Sequence, residues 1–173
     1  MNATDNLTAL EIARIACDVE NDGVTFYRTA ARHADHDEAR DIFEELGAME
    51  KEHLNTFQRI YKQIDAGSGD LADSTVEMLF DDALMGYLKA LSEGMVFPSG
   101  EEAEEMAADD HGIFTILDFA EKKKKSSILF YSEISKQAIF ADSRTILERV
   151  IEEEKSHLVA LNRLRRGLLE AAP

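Results

Sequence analysis

Glu50-x-x-His53 and Glu154-x-x-His157 are one motif written twice, 104 positions apart. On an α-helix, residues three apart share a face one turn apart, so each motif can aim a carboxylate and an imidazole at one point. Carboxylates suit hard, oxygen-preferring cations, and an imidazole shifts the preference toward iron, manganese or zinc. The surroundings repeat with the same offset: Ala16 returns as Ala120, Phe26-Tyr27 as Phe130-Tyr131, Lys51 as Lys155 and Leu54 as Leu158. Glu20, 30 residues before Glu50, is a further candidate ligand, but the matching position 30 residues before Glu154 is Lys124. A protonated ammonium cannot ligate a metal and repels one. Glu121, one turn before Lys124 on a similar face, is the nearest substitute carboxylate.

Such residues must be held by long amphipathic helices, and apolar spacing at i, i+3 and i+4 runs through most of the chain. A first helix is expected over about 8–33, opened by the capping box Thr8-x-x-Glu11, with Ile12, Ala16, Val19, Phe26, Tyr27 and Ala30 inward. Asp35-His36-Asp37 turns the chain into a second helix over about 37–65, which Gly67-Ser68-Gly69-Asp70 stops. Residues 67–108 read as a crossover with short helices over about 75–80 and 82–93, a loop at Phe97-Pro98-Ser99-Gly100, and an acidic solvated helix face over 101–110. A third helix is expected over about 110–139 and a fourth, capped by Asp142 or Ser143, to about 169. The expectation is a single all-α domain over 1–173: a helical hairpin (about 8–66), a long crossover (about 67–108) and a second hairpin (about 109–169). A connection of that length can span the bundle and leave the second and third long helices parallel. A pseudo-twofold axis would then bring the two motifs face to face.

Composition narrows the function. The net charge is −16, and Lys122 to Lys125 is the one basic run. Both facts argue against nucleic acid, whose backbone is held by clustered Lys and Arg, and against an anionic membrane surface. No apolar run reaches the roughly 18–20 residues of a transmembrane helix. The polar start reads as no secretory signal. A single cysteine, Cys17, allows no intrachain disulfide and no Cys-rich metal knuckle, so a cytoplasmic location is expected. Cys17, Tyr27 and Tyr131 read as core residues, and His33, His36 and His111 lack ligand spacing.

Over about residues 8–168 the chain resembles a rubrerythrin-type member of the ferritin-like superfamily. The matching pieces are Ala16-x-x-x-Glu20 with Phe26-Tyr27, Met49-Glu50-Lys51-Glu52-His53, Ala120 with Ser127-Ile128-Leu129-Phe130-Tyr131, and Glu153-Glu154-Lys155-Ser156-His157. The resemblance implies a ferritin-like four-helix bundle. It also implies two non-haem irons per chain, peroxide reduction or ferrous-iron oxidation, and pairing into a homodimer. Glu50 and Glu154 would bridge the irons, with Glu20, His53 and His157 terminal. Typical members carry a four-cysteine rubredoxin domain that feeds electrons. With one cysteine, these residues would depend on an external electron-donor protein.

Lys124 stands where the resemblance expects a glutamate, and two arrangements satisfy it. Either Lys124 swings out and Glu121 supplies the carboxylate, or Lys124 points inward as the counter-ion of Glu20, Glu50 and Glu154. A centre with one metal lies between them, with zinc or manganese as alternatives to iron. In the second arrangement the molecule is a ferritin-like structural or interaction module.

Overall fold

The computed structural model describes residues 9–66, 82–95, 97–98, 100–107, 112–137 and 141–171. These form six helices: α1 (Ala9–His33), α2 (Asp37–Asp65), α3 (Asp82–Met95), α4 (Gly100–Ala107), α5 (Gly112–Gln137) and α6 (Ala141–Ala171), with no strand among the described residues. The molecule is an all-α bundle compatible with the ferritin-like architecture. The helix expected over 75–80, the stop at 67–70 and the caps at Thr8 and Ser99 lie outside the described residues. The acidic run is α4 as far as it is described, with Glu101, Glu102, Glu104 and Glu105 exposed and Ala103 buried. α6 starts at Ala141, ahead of both expected caps.

Arg40 fixes the turn between α1 and α2. Its guanidinium donates to Asp37 Oδ1 at 2.8 Å and to the Ala34 carbonyl at 2.9 Å. Side-chain pairs give the direction of each helix. Glu50 meets Lys124 and Phe57 stacks on Tyr131, so α2 and α5 run parallel. Glu20 meets Tyr131 and Phe26 meets Phe119, so α1 and α5 run antiparallel. His53 meets Glu153 while Ile60 shares a groove with Ile146, so α2 and α6 are antiparallel. The parallel α2 and α5 are the arrangement a long crossover permits.

Two aromatic layers bracket the middle of the bundle. On one side Phe26, Tyr27, Phe43, Phe97 and Phe119 meet at centroid distances of 5.3–6.3 Å, Phe97 being contributed by the crossover. On the other, Phe57 stacks on Tyr131 at 5.1 Å and Phe130 meets Tyr131 edge-on at 5.7 Å. Burial of each such ring stabilises by roughly 1.5–3 kcal/mol. The layers also keep water from the polar cluster between them, and in such a dry setting charges act on one another far more strongly than at the surface.

Candidate metal centre

Each long helix turns polar side chains into that dry layer. α1 supplies Glu20, α2 supplies Glu50 and His53, α5 supplies Lys124 and Tyr131, and α6 supplies Glu154 and His157, all buried. Glu20, Glu50, His53 and Glu154 each offer one ligand atom, and those atoms lie within 4.8 Å of one another. His157 adjoins them: its Nδ1 is 3.4 Å from Glu50 Oε1, and its ring stacks on that of His53 at 5.6 Å. Gly23 makes room for the cluster, because a Cβ there would lie 3.3 Å from both Cγ and Oε2 of Glu50.

Lys124 points inward and is 2 % exposed. Its Nζ donates to Glu50 Oε1 and lies 2.7 Å from Glu154 Oε2. Lys124 therefore sits between the carboxylates of the two repeated motifs. Burial pushes the ammonium toward its neutral form, but Glu154 and Glu50 outweigh burial and hold it charged. Burial likewise raises Glu50, and Lys124 reverses the shift, holding that carboxyl well below the usual range. Glu121 does not join the cluster: it accepts from Arg165 Nε at 2.8 Å, across the α5–α6 contact. Three residues turn through about 300°, so the side chains of Glu121 and Lys124 point about 60° apart on α5, and their partners on other helices take them to different places.

Two hydrogen bonds orient the ligand side chains. Tyr131 donates to Glu20 Oε1 at 2.6 Å. His53 Nε2–H donates to Glu153 Oε2 at 2.8 Å, and Glu153 Oε1 accepts from Arg149 Nε at 2.9 Å. The Glu153 bond leaves His53 Nδ1 facing the cluster, 3.1 Å from Glu154 Oε1 and 3.5 Å from Glu20 Oε2. Metal-binding histidines characteristically have their second nitrogen tied in this way. Sequence reasoning did not single out Glu153, and it read Tyr131 as a core ring. Tyr131 is two turns from position 124 on its own helix, but the antiparallel α1 brings Glu20 to its hydroxyl.

The repeat is broken twice more by these contacts. Position 49, which matches Glu153, is Met, so the repeat provides no carboxylate for His157, and neither ring nitrogen of His157 has a hydrogen-bond partner. Tyr27 matches Tyr131, but the glutamate that would accept its proton is Lys124, and the Tyr27 hydroxyl is left unpartnered. The Lys124 ammonium instead lies 5.8 Å from the centre of the Tyr27 ring.

The donor set offers buried ligand atoms to a cation. Glu20 Oε2, His53 Nδ1 and both oxygens of Glu154 are buried with no hydrogen bond of good geometry, despite the ion-pair distances among them. Two ligands about 2.1 Å from one ion, at 90–109° to each other, lie about 3.0–3.4 Å apart. The His53–Glu154 separation of 3.1 Å falls within that span, and the His53–Glu20 separation of 3.5 Å slightly exceeds it.

Without a metal the cluster still reaches near-neutrality. Burial, then the charge of Glu50, pushes the Glu20 carboxyl up to about 8, so it keeps its proton at neutral pH. Burial works against the His53 imidazolium, but the carboxyls of Glu154 and Glu20 prevail and push it up to about 11. The carboxylates of Glu50 and Glu154 then face two cations, Lys124 and His53. An uncompensated buried ion costs several kcal/mol, a large share of a typical 5–15 kcal/mol stability.

No helix among the described residues is long and apolar enough to cross a membrane. Compared with known families, residues 11–165 match the rubrerythrin family model. No curated protein and no solved structure matches the chain.

Proposed function

The chain belongs to the rubrerythrin family, and from that premise we propose that it is a non-haem iron oxidoreductase whose centre holds one iron beside Lys124. Its reaction is peroxide reduction or ferrous-iron oxidation. Iron bound there would supply the capacity to exchange electrons with peroxide or oxygen. Glu20, His53 through Nδ1 and Glu154 would hold it. Tyr131 orients Glu20, Glu153 orients His53, and the aromatic layers exclude water. The observation that carries this reading is the buried Nζ of Lys124 between Glu50 and Glu154, beside a donor set left without hydrogen bonds.

The test is the iron content of protein made in iron-supplemented medium and never exposed to chelator, followed by peroxidase and ferroxidase assays. One iron per chain with turnover supports the reading. Two irons would mean that Lys124 leaves the centre. Zinc or manganese in its place would retain the site and change the chemistry, since zinc has no redox activity.

The near-neutrality of the metal-free cluster favours a second reading, in which Lys124 and His53 are the permanent counter-ions and the molecule is a ferritin-like structural or interaction module. Protein that binds no metal under any loading would select it. We further propose a homodimer, supported by the exposed Leu129 of α5 and Val159 of α6. The single cysteine supports a cytoplasmic setting and an external electron donor.

A further inference from the structure

A groove of about 460 Å³ between α2 and α6 has His53 in its lining. Ile60, Ile146 and Val150 line it, with Glu52 and Arg149 also on its walls and Glu153 beside His53. Another groove, of about 560 Å³ between α1 and α2, touches no residue of the polar cluster. His53 therefore has two sides: Nδ1 faces Glu20 and Glu154, and Nε2 faces Glu153.

Glu153 joins solvent to the centre. Its side chain is 30 % exposed, that of His53 only 3 %, and that of Arg149 75 %. An ion pair as exposed as Arg149–Glu153 holds a side chain by no more than about 1 kcal/mol, so the carboxylate is weakly held on its solvent side while its other oxygen stays bonded to His53. Consecutive helix positions point about 100° apart, which sets Glu153 on the groove and Glu154 in the centre, with His53 touching both. The matching position in the other half is Met49, an uncharged thioether, so the repeat provides no second carboxylate of this kind.

We propose that the α2–α6 groove is the route by which divalent cations reach the centre. Glu153 takes the ion from solvent and passes it inward past His53 to Glu154, and Arg149 is the latch that holds Glu153 closed. The proposal rests on the reading that the centre binds a metal. It is tested by mixing metal-free protein with cobalt(II) and following the visible absorption in a stopped-flow instrument. The final cobalt per chain is measured separately.

Ile146→Phe, which narrows the groove, and Glu153→Gln, which removes the receiving charge, should each slow uptake at least about tenfold, equivalent to a barrier about 1.4 kcal/mol higher. Arg149→Ala should speed it. Final occupancy should be unchanged in Ile146→Phe and Arg149→Ala, whereas Glu153→Gln, which also loses the carboxylate that orients His53, should bind more weakly as well; Ala48→Phe in the α1–α2 groove should leave the rate alone. Thermal unfolding confirms that each variant is folded. Ile146 is half-buried and Arg149 and Ala48 are exposed, so these substitutions do not strike the core. Equal rates in the wild type, Ile146→Phe and Glu153→Gln overturn the entrance while leaving the metal reading intact, as does equal slowing by Ala48→Phe. No cobalt in the wild type at equilibrium overturns the metal reading and the entrance with it.

Discussion

Lys124→Glu is the most informative substitution. It removes the ammonium that Glu50 and Glu154 share and puts a further carboxyl among three buried ones. Removing one partner of a buried ion pair costs about 3–5 kcal/mol, and the added like charge increases the loss. For a chain of this size each kcal/mol corresponds to roughly 2–4 °C in Tm, so the metal-free variant should melt roughly 6–20 °C below the metal-free wild type. With metal the order changes. The variant has a carboxylate at both positions 30 residues before a Glu-x-x-His motif, and the cation that occupied the second place is gone. Iron should rise from one per chain toward two. A ligand at 100 times its Kd stabilises by about 2.7 kcal/mol, enough to recover a large part of the deficit. The assay is paired differential scanning calorimetry of apo and anaerobically iron-loaded protein, with elemental analysis of the same samples. Lys124→Met separates loss of charge from loss of volume. If Lys124→Glu melts with the wild type when metal-free and takes up no additional iron, Lys124 is neither counter-ion nor obstacle, and the reasoning fails.

Other substitutions probe the same cluster. The Glu20 carboxyl is raised from 4.5 to about 8, so the folded protein holds a proton that the unfolded chain releases, and stability falls as pH rises between those values. His53 is raised from 6.5 to about 11, so its contribution is complete below 6.5 and is lost as pH rises through 11. Both slopes are negative between 6.5 and 8, each at most about 1.4 kcal/mol per pH unit. The urea midpoint of metal-free protein should therefore fall across that window, and Glu20→Gln should flatten it; a rising midpoint contradicts the assignment. Tyr131→Phe removes the hydrogen bond to Glu20 and should lower unfolding stability by about 1–2 kcal/mol, read by urea titration, while no change would mean that Glu20 does not depend on it. Gly23→Ala would gain about 1 kcal/mol of helix propensity, but its methyl meets Glu50, which Lys124 pins. Titration should show weaker cobalt binding, and unchanged affinity would mean that Glu50 has room to move. Met49→Glu restores the repeat opposite His157 and should bind more metal in combination with Lys124→Glu than Lys124→Glu does alone, as measured by elemental analysis.

The chemistry of this chain was legible because it is written in local spacing. Glu50 with His53, and Glu154 with His157, declare themselves on one helix face each, and the offset of 104 points to Glu20 and Lys124. The long helices follow from the same periodicity, and α2 spans the expected 37–65. What spacing does not contain is the choice between neighbours that only other helices decide. Glu121 and Lys124 are both plausible on α5 alone; Arg165 of α6 draws Glu121 aside, and Glu50 and Glu154 draw Lys124 in. Glu153 is adjacent to Glu154 and reads as its solvated neighbour until the α2–α6 register brings His53 against it. Tyr131 looks like a core ring from its own helix, and it is one, but its hydroxyl serves a carboxyl 111 positions away.

An ordinary metal centre draws the charge that completes its core from the medium. Here part of that charge is encoded in the gene, since Lys124 is translated along with the acids it neutralises. On the reading proposed above, the chain would finish folding before any metal is bound, where a centre built only of acids would depend on supply at the moment of synthesis. Folding then depends less on metal supply, although a bound metal would still add stability.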